Sequence, residues 1–210
     1  MQLVSVNTGR EESIRNGKKT ASSGIFKRPA AGPVEITPLG LKGDTIVDTD
    51  NHGGPDQAVY VYGMEDYAFW QTALGRDLLP GTFGENLTIN GLESALFNIG
   101  DRLVIGPVTL EVTAPRIPCG TLAARMDDPQ FLKRFRQAGR PGLYCRVIQT
   151  GMVQAGDQVT RVPYSGEKIS VLELVHSFYE PDLDETELRR LLATPIGMRA
   201  RIALESRISR

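Results

Sequence analysis

The segment APRIPCGTLAAR places Cys119 between Pro118 and Gly120, just beyond Arg116 and one helical stretch before Arg125. Pro115 and Pro118 stiffen the approach and remove two amide donors, so the sequence reads as a loop here. Cationic neighbours lower a thiol pKa if they point the same way, and the thiolate is the nucleophile and metal ligand. Taken alone, a cysteine is more often a small buried hydrophobe. The other cysteine shows that alternative: in GLYCRVI, strand alternation puts Leu143, Cys145 and Val147 on one face. Tyr144 and Arg146 fall on the other, so Arg146 is expected to face what Cys119 faces.

His52 lies in DNHGGPDQAVYVY, where Gly53, Gly54 and Pro55 turn the chain into a strand. Paired glycines let backbone or ligand come close, although a loop histidine also serves as a turn or surface residue. The remaining histidine, His176, has no chemical neighbours of note. Upstream, Lys18, Lys19, Lys27 and Arg28 are interleaved with Thr20, Ser22, Ser23 and Gly24. That mixture suits an anion site, and equally a solvated basic loop. Glu35 alternates with Val34 and Ile36 on the next strand and either serves chemistry or faces solvent. A metal held by His52, Cys119, Cys145 and Glu35 is conceivable, yet no two of these are close in sequence, unlike typical zinc ligands. GxxxxGK[ST], GxGxxG, HExxH, GxSxG and CxxC are absent, which counts against nucleotide-binding, zincin and serine-hydrolase chemistry.

The elements that must position these residues are mostly strands. LVSV, GPVEITPLG, QAVYVYG, GENLTING, GDRLVIG, VTLEVTAP, GLYCRVIQTG and GDQVTRVP are short runs bounded by Gly, Pro, Asn or Asp. Their density predicts a mainly β fold of the α+β kind, a closed or nearly closed barrel over residues 1–163. Two helices are expected within it. One is MEDYAFWQTAL; the other is DDPQFLKRFRQAG, with Asp127 or Asp128 as cap, Pro129 at its first position and Gly139 as stop. Residues 164–210 change character. Ser170/Glu173 and Asp184/Glu187 are capping-box pairs, and Thr194-Pro195 opens a third apolar segment through Ile202, Ala203 and Ile208. Three short helices cannot bury a core alone, so this three-helix subdomain should dock on the barrel or a partner.

The 210 residues are 40% hydrophobic and 23% charged, with net charge -1. That balance gives no general attraction to nucleic acid polymers or membranes, so anion recognition must be local. No apolar run approaches a membrane span, the N-terminus lacks a secretion pattern, and two cysteines make no disulfide framework. A cytoplasmic location is expected.

Five segments occur here in an order that resembles the MOSC family, named for the C-terminal domain of molybdenum cofactor sulfurase. They are DNHGGPDQAVYVYG, PGTFGENLTINGL, NIGDRLVIG, LEVTAPRIPCGTLAARM and GLYCRVIQTGMVQAGDQV. The tail, ISVLELVHSFYEPDLDETELRRLLATPIGMRARIALESRI, is similar to the three-helix segment of the YiiM-like branch. The resemblance implies a barrel that binds the molybdenum cofactor (molybdopterin), with Cys119 as molybdenum ligand. It implies a triad of Glu35, His52 and Cys119, and a cofactor cradle of Lys27, Arg28, Asn86, Arg116 and Arg146. The implied activity is reduction of N-hydroxylated small molecules, hydroxylaminopurine-type bases or amidoximes. Electrons would come from a separate flavin or ferredoxin-type reductase. Homodimer formation is left open. Sulfurases of the family carry a pyridoxal-phosphate domain that this sequence does not show, so pyridoxal phosphate is a family-level association only and cysteine desulfuration is not expected. Two other readings stay open: a carrier or sulfur-transfer protein for the cofactor, and a cysteine hydrolase using Cys119, His52 and Glu35.

Overall fold

The computed structural model describes residues 1–17 and 19–208. Among the described residues thirteen strands appear in chain order: β1 (Gln2–Thr8), β2 (Glu12–Asn16), β3 (Lys19–Ser23), β4 (Arg28–Pro29), β5 (Val34–Thr37), β6 (Gly40–Leu41) and β7 (Val59–Gly63). These are followed by β8 (Leu87–Asn90), β9 (Arg102–Ile105), β10 (Val108–Ala114), β11 (Leu143–Gln149), β12 (Gly151–Val153) and β13 (Val159–Val162). The helices are α1 (Met64–Leu74), α2 (Gly120–Met126), α3 (Phe131–Ala138), α4 (Val171–Ser177), α5 (Glu185–Leu192) and α6 (Met198–Ile208).

The main sheet runs β13-β9-β10-β11-β7-β8-β1-β4. Its pairs are antiparallel except β7 with β8, which α1 joins as a crossover. The start of β1 returns to the far edge: Leu3 donates to Asp157, Val159 donates to Met1, and Gln2 bridges Gln158. These bonds close β1 onto β13, so the sheet curls round an interior that alternation fills. Leu3, Val61, Leu87, Leu103, Ile105, Leu110, Val112 and Cys145 all point inward and are buried. Each such aliphatic side chain gains roughly 1.5–3 kcal/mol from leaving water.

The tail adds to this same core. Ile169, Val171, Leu174, Leu188, Leu191, Ile196, Ala200 and Leu204 belong to one apolar cluster with the barrel residues. Both expected N-caps form: the Glu173 amide donates to Ser170 Oγ at 3.0 Å and the Glu187 amide to Asp184 Oδ1 at 2.8 Å, while both glutamate side chains pair with Arg190. The third tail helix differs from expectation. It starts at Met198 rather than at Thr194-Pro195, and it turns Ala200 and Leu204 inward while Ile202 is 59% exposed.

Two other expectations shift for local reasons. The DDPQ segment is a turn, because Asp127 adopts a left-handed conformation that ends α2 and the Asp128 carboxylate accepts the Gln130 amide. Helix α3 therefore begins only at Phe131, although Gly139 does stop it. The basic stretch, expected as an anion site or a solvated loop, includes β3, which pairs with β2 as a hairpin; the buried Ile14 of β2 joins an aromatic cluster with Tyr62, Trp70, Phe83, Phe131 and Phe135. Lys18, counted above among the basic residues, lies outside the described residues.

Candidate functional site

Where β10 ends at Ala114, the two prolines carry the chain extended to Cys119. Its carbonyl then accepts the amides of Leu122 at 2.9 Å and Ala123 at 3.3 Å, which starts α2. Cys119 is thus the N-cap of a helix the sequence did not announce, with no Ser, Thr, Asp or Asn there to mark it. Its partly exposed side chain opens into a cavity of about 100 Å³, whose lining includes Lys27, His52, Asn86, Arg116 and Tyr144.

Burial alone would push the Cys119 thiol up. The hydrogen bond from His52 reverses this, aided by the charge of Arg116 and the nearby Leu122 amide, and brings the pKa down to about 6. A thiolate therefore predominates at neutral pH. His52 Nδ1 lies 3.3 Å from Tyr144 Oη. Burial raises the Tyr144 pKa and keeps it a phenol, so its hydroxyl and the imidazole hold each other in place. Gly53 is needed beside this histidine: its φ is +68°, and a Cβ there would meet Ile46 Cδ1 at 2.9 Å.

Arg116 is 5% exposed, donates to the Phe83 carbonyl and lies 5.1 Å over the Tyr60 ring, while its Nε has no partner among the described residues. Burial disfavours its charge, but Tyr144, Tyr60 and Cys119 hold its pKa above the ordinary value. Lys27 is buried too and bonds both carboxylate oxygens of Asp44. Burial pulls the Lys27 pKa down and Asp44 opposes this. Asp44 also accepts from the Gly9 amide at 2.7 Å and from Asn86 Nδ2 at 2.8 Å, while Asn86 Oδ1 accepts the Tyr60 amide at 3.1 Å. The Asn86 amide, expected to face a pterin, lines the cavity but spends its donors and acceptor on the fold.

The cleft thus gathers Cys119, His52, Lys27, Asn86 and Arg116, and the structure does not bring Glu35, Arg28 or Arg146 with them. Glu35 sits where β5 pairs with β12, half exposed, and bonds Lys42 at 3.0 Å. The expected triad of Glu35, His52 and Cys119 is not formed. Arg28 is exposed and paired with Glu12. Arg146, two residues beyond Tyr144 on β11, binds Asp56 at 3.0 Å and the Pro195 carbonyl at 3.1 Å, partners outside the cleft lining. Arg125 stacks on Phe26 and directs its charge at Glu12 rather than at Cys119. Tyr144, Asp44 and Thr121 were not foreseen as part of the site. Of these only Tyr144 left a trace in the sequence, as the residue alternating with Cys145.

The MOSC domain family matches residues 48–160, a span that contains His52, Asn86, Arg116 and Cys119. The chain is similar to the protein YiiM of Escherichia coli strain K12, 30% identical over 193 residues, covering 90% of this chain and 84% of that one. It is 34% identical over 176 residues to a reductase of Gibberella moniliformis, covering 82% of this chain and 31% of the fungal protein. Its backbone superposes on the crystal structure of YiiM from Geobacillus stearothermophilus with a TM-score of 0.81 at 28% identity, covering 99% of this chain and 98% of that one. On this sequence, fold and order of segments, the chain belongs to the MOSC domain family, with YiiM among its relatives.

Proposed function

We propose that the Cys119 cleft binds the molybdenum cofactor and that the protein reduces N-hydroxylated compounds, hydroxylaminopurine-type bases or amidoximes, in a reducing cytoplasm. The observation that carries this reading is the partly exposed Cys119 side chain in a cleft whose lining also includes His52 and the buried Arg116. The residues fit such a group. Among the described residues no three His, Cys, Asp or Glu side chains converge as a metal site. An ion at Cys119 must therefore bring its other ligands with it, as one carried on an organic dithiolene does. A soft thiolate suits a thiophilic ion, and the Nε of Arg116, without a partner among the described residues, is a donor left over for an anion. The fungal relative that bears the name reductase supports the reaction class.

When bound, the cofactor would supply the two-electron step in which N–OH, two electrons and two protons become N–H and water. Cys119 would hold the ion, and Arg116 would face the anionic parts of the group, with Lys27 beside it already paired with Asp44. His52, whose Nδ1 lies 3.3 Å from Tyr144 Oη in the cleft lining, would be the group that passes a proton to the substrate. Glu35, paired with Lys42, has no part in this transfer. Electrons would arrive from a separate flavin or ferredoxin-type reductase.

Protein purified from a molybdate-fed host should contain molybdenum and, with an artificial electron donor, reduce a hydroxylaminopurine. Cys119→Ser should lose both. Molybdenum without turnover would replace the reductase by a cofactor carrier. Thiol-dependent hydrolysis surviving in a molybdate-starved host would replace it by the hydrolase that the Cys119–His52 pair itself permits.

A further inference from the structure

Residues 48–57, which carry His52, form no strand and only a short 3-10 turn at Pro55–Gln57. Their carbonyls need donors from elsewhere. One side chain on the C-terminal helix α6 meets four of them. Arg199 Nε donates to the Asp50 carbonyl at 3.1 Å. Its Nη1 donates to the Gly53 carbonyl at 2.8 Å and to Gln57 Oε1 at 3.0 Å. Its Nη2 donates to the carbonyls of Thr49 at 2.9 Å and His52 at 3.4 Å. Five acceptors thus meet the five N–H groups of one guanidinium, a match that the three donors of a lysine cannot copy. A second tie lies beside it: Asp56 accepts the Met198 amide at 2.7 Å on one oxygen and pairs with Arg146 at 3.0 Å on the other. The loop is therefore gripped from the tail side, while the His52 ring on its inner side meets Tyr144 and Cys119.

We propose that Arg199 is a positioning residue, which fixes the loop so that the His52 ring is presented to Cys119. The C-terminal tail is then part of the site, although none of its residues lines the cleft. This inference needs the Cys119–His52 pair and neither molybdenum nor reductase activity, so it stands or falls apart from the proposed function.

The test is the rate at which iodoacetamide alkylates Cys119 in the full-length, metal-free protein at pH 6, with circular dichroism and the melting temperature recorded for every variant. Cys145, fully buried, should stay unlabelled, so Cys119→Ser should show no native labelling. Losing the His52 contact should reduce the thiolate fraction at this pH more than the rise in intrinsic nucleophilicity restores, a net fall of roughly fivefold. Arg199→Ala and His52→Ala should each show that fall, and the double variant should fall no further. Arg207→Ala removes bonds that stay within the tail, to the Ser177, Glu180 and Pro181 carbonyls, and should keep the wild-type rate. If Arg199→Ala does not fold, Arg199→Lys carries the same comparison with a smaller loss. A wild-type rate in folded Arg199 variants, an additive double variant, or an equal fall in Arg207→Ala would each overturn the proposal.

Discussion

The two cysteines stand against two different interiors. Cys145 lies on β11 among aliphatic side chains, wholly buried, and burial pushes its thiol far above the ordinary range. Cys119 packs against the aromatic cluster of Tyr60, Tyr62, Trp70, Phe83, Phe131 and Tyr144, where the polar tips of the rings are used. Trp70 Nε1 donates to Tyr62 Oη at 2.8 Å, Tyr62 to the Arg140 carbonyl and Tyr60 to the Pro141 carbonyl, while Tyr144 Oη meets His52 Nδ1. The aliphatic interior asks only for volume and alternation. The aromatic one also fixes orientations, because each buried N–H or O–H must keep its partner. A reactive thiol needs the second kind of wall. Arg116 keeps its place by stacking on Tyr60 and bonding the carbonyl of Phe83.

The largest expected difference between the interiors is in their tolerance of substitution. Trp70 contacts Tyr62, Phe83, Phe131 and Phe135. Trp70→Ala should cost about 3–5 kcal/mol in urea unfolding, from the cavity and the lost ring contacts. Ile105→Val, in the closed part of the sheet, should cost about 0.5–1.5 kcal/mol. Equal losses would erase the distinction between a wall that orients and a core that fills.

Next in size is a dependence on pH. The folded thiol of Cys119 has its pKa lowered from 9.0 to about 6. A group depressed on folding contributes stability that is fully present above its unfolded pKa and is lost as pH falls through the folded one. In the metal-free protein, stability should therefore gain a contribution on the order of 3 kcal/mol between pH 6 and pH 9. Cys119→Ser should lack that rise, so the difference between the two unfolding free energies should widen with pH. A difference that stays level over that window would mean that His52 and Arg116 do not hold the sulfur as a thiolate.

The same contrast explains what could be read from the sequence. Alternating strands, α1 over its full length, both tail N-caps and the separate characters of Cys119 and Cys145 follow from periodicity and local chemistry. The β2–β3 hairpin was hidden because its mostly exposed, polar strands show no alternation. Helix α2 was hidden because a cysteine caps it. Lys27, Arg28, Arg116 and Arg146 all carried a charge that marked them, and the fold pairs Lys27 with Asp44, Arg28 with Glu12 and Arg146 with Asp56. Charge reveals a capacity to pair, while only the three-dimensional register selects the partner. Arg199 is the extreme case: its acceptors are mostly backbone carbonyls, which every residue type has, so no pattern of side chains could have pointed to it.

The smallest expected effect completes the comparison. If Cys145 is filler of the aliphatic core, its sulfur should be replaceable by a hydrocarbon of similar volume. The side chain has one weak polar contact, 4.0 Å to the Leu143 carbonyl, and lies on a strand where a β-branched residue is at ease. Cys145→Val should change the unfolding free energy by less than about 1.5 kcal/mol and leave the native alkylation rate at Cys119 untouched. A large loss of stability, or a slower reaction at Cys119, would mean that the two interiors are coupled through β11. Tyr144 would be the carrier of that coupling, since it adjoins Cys145 in the chain and its hydroxyl meets His52.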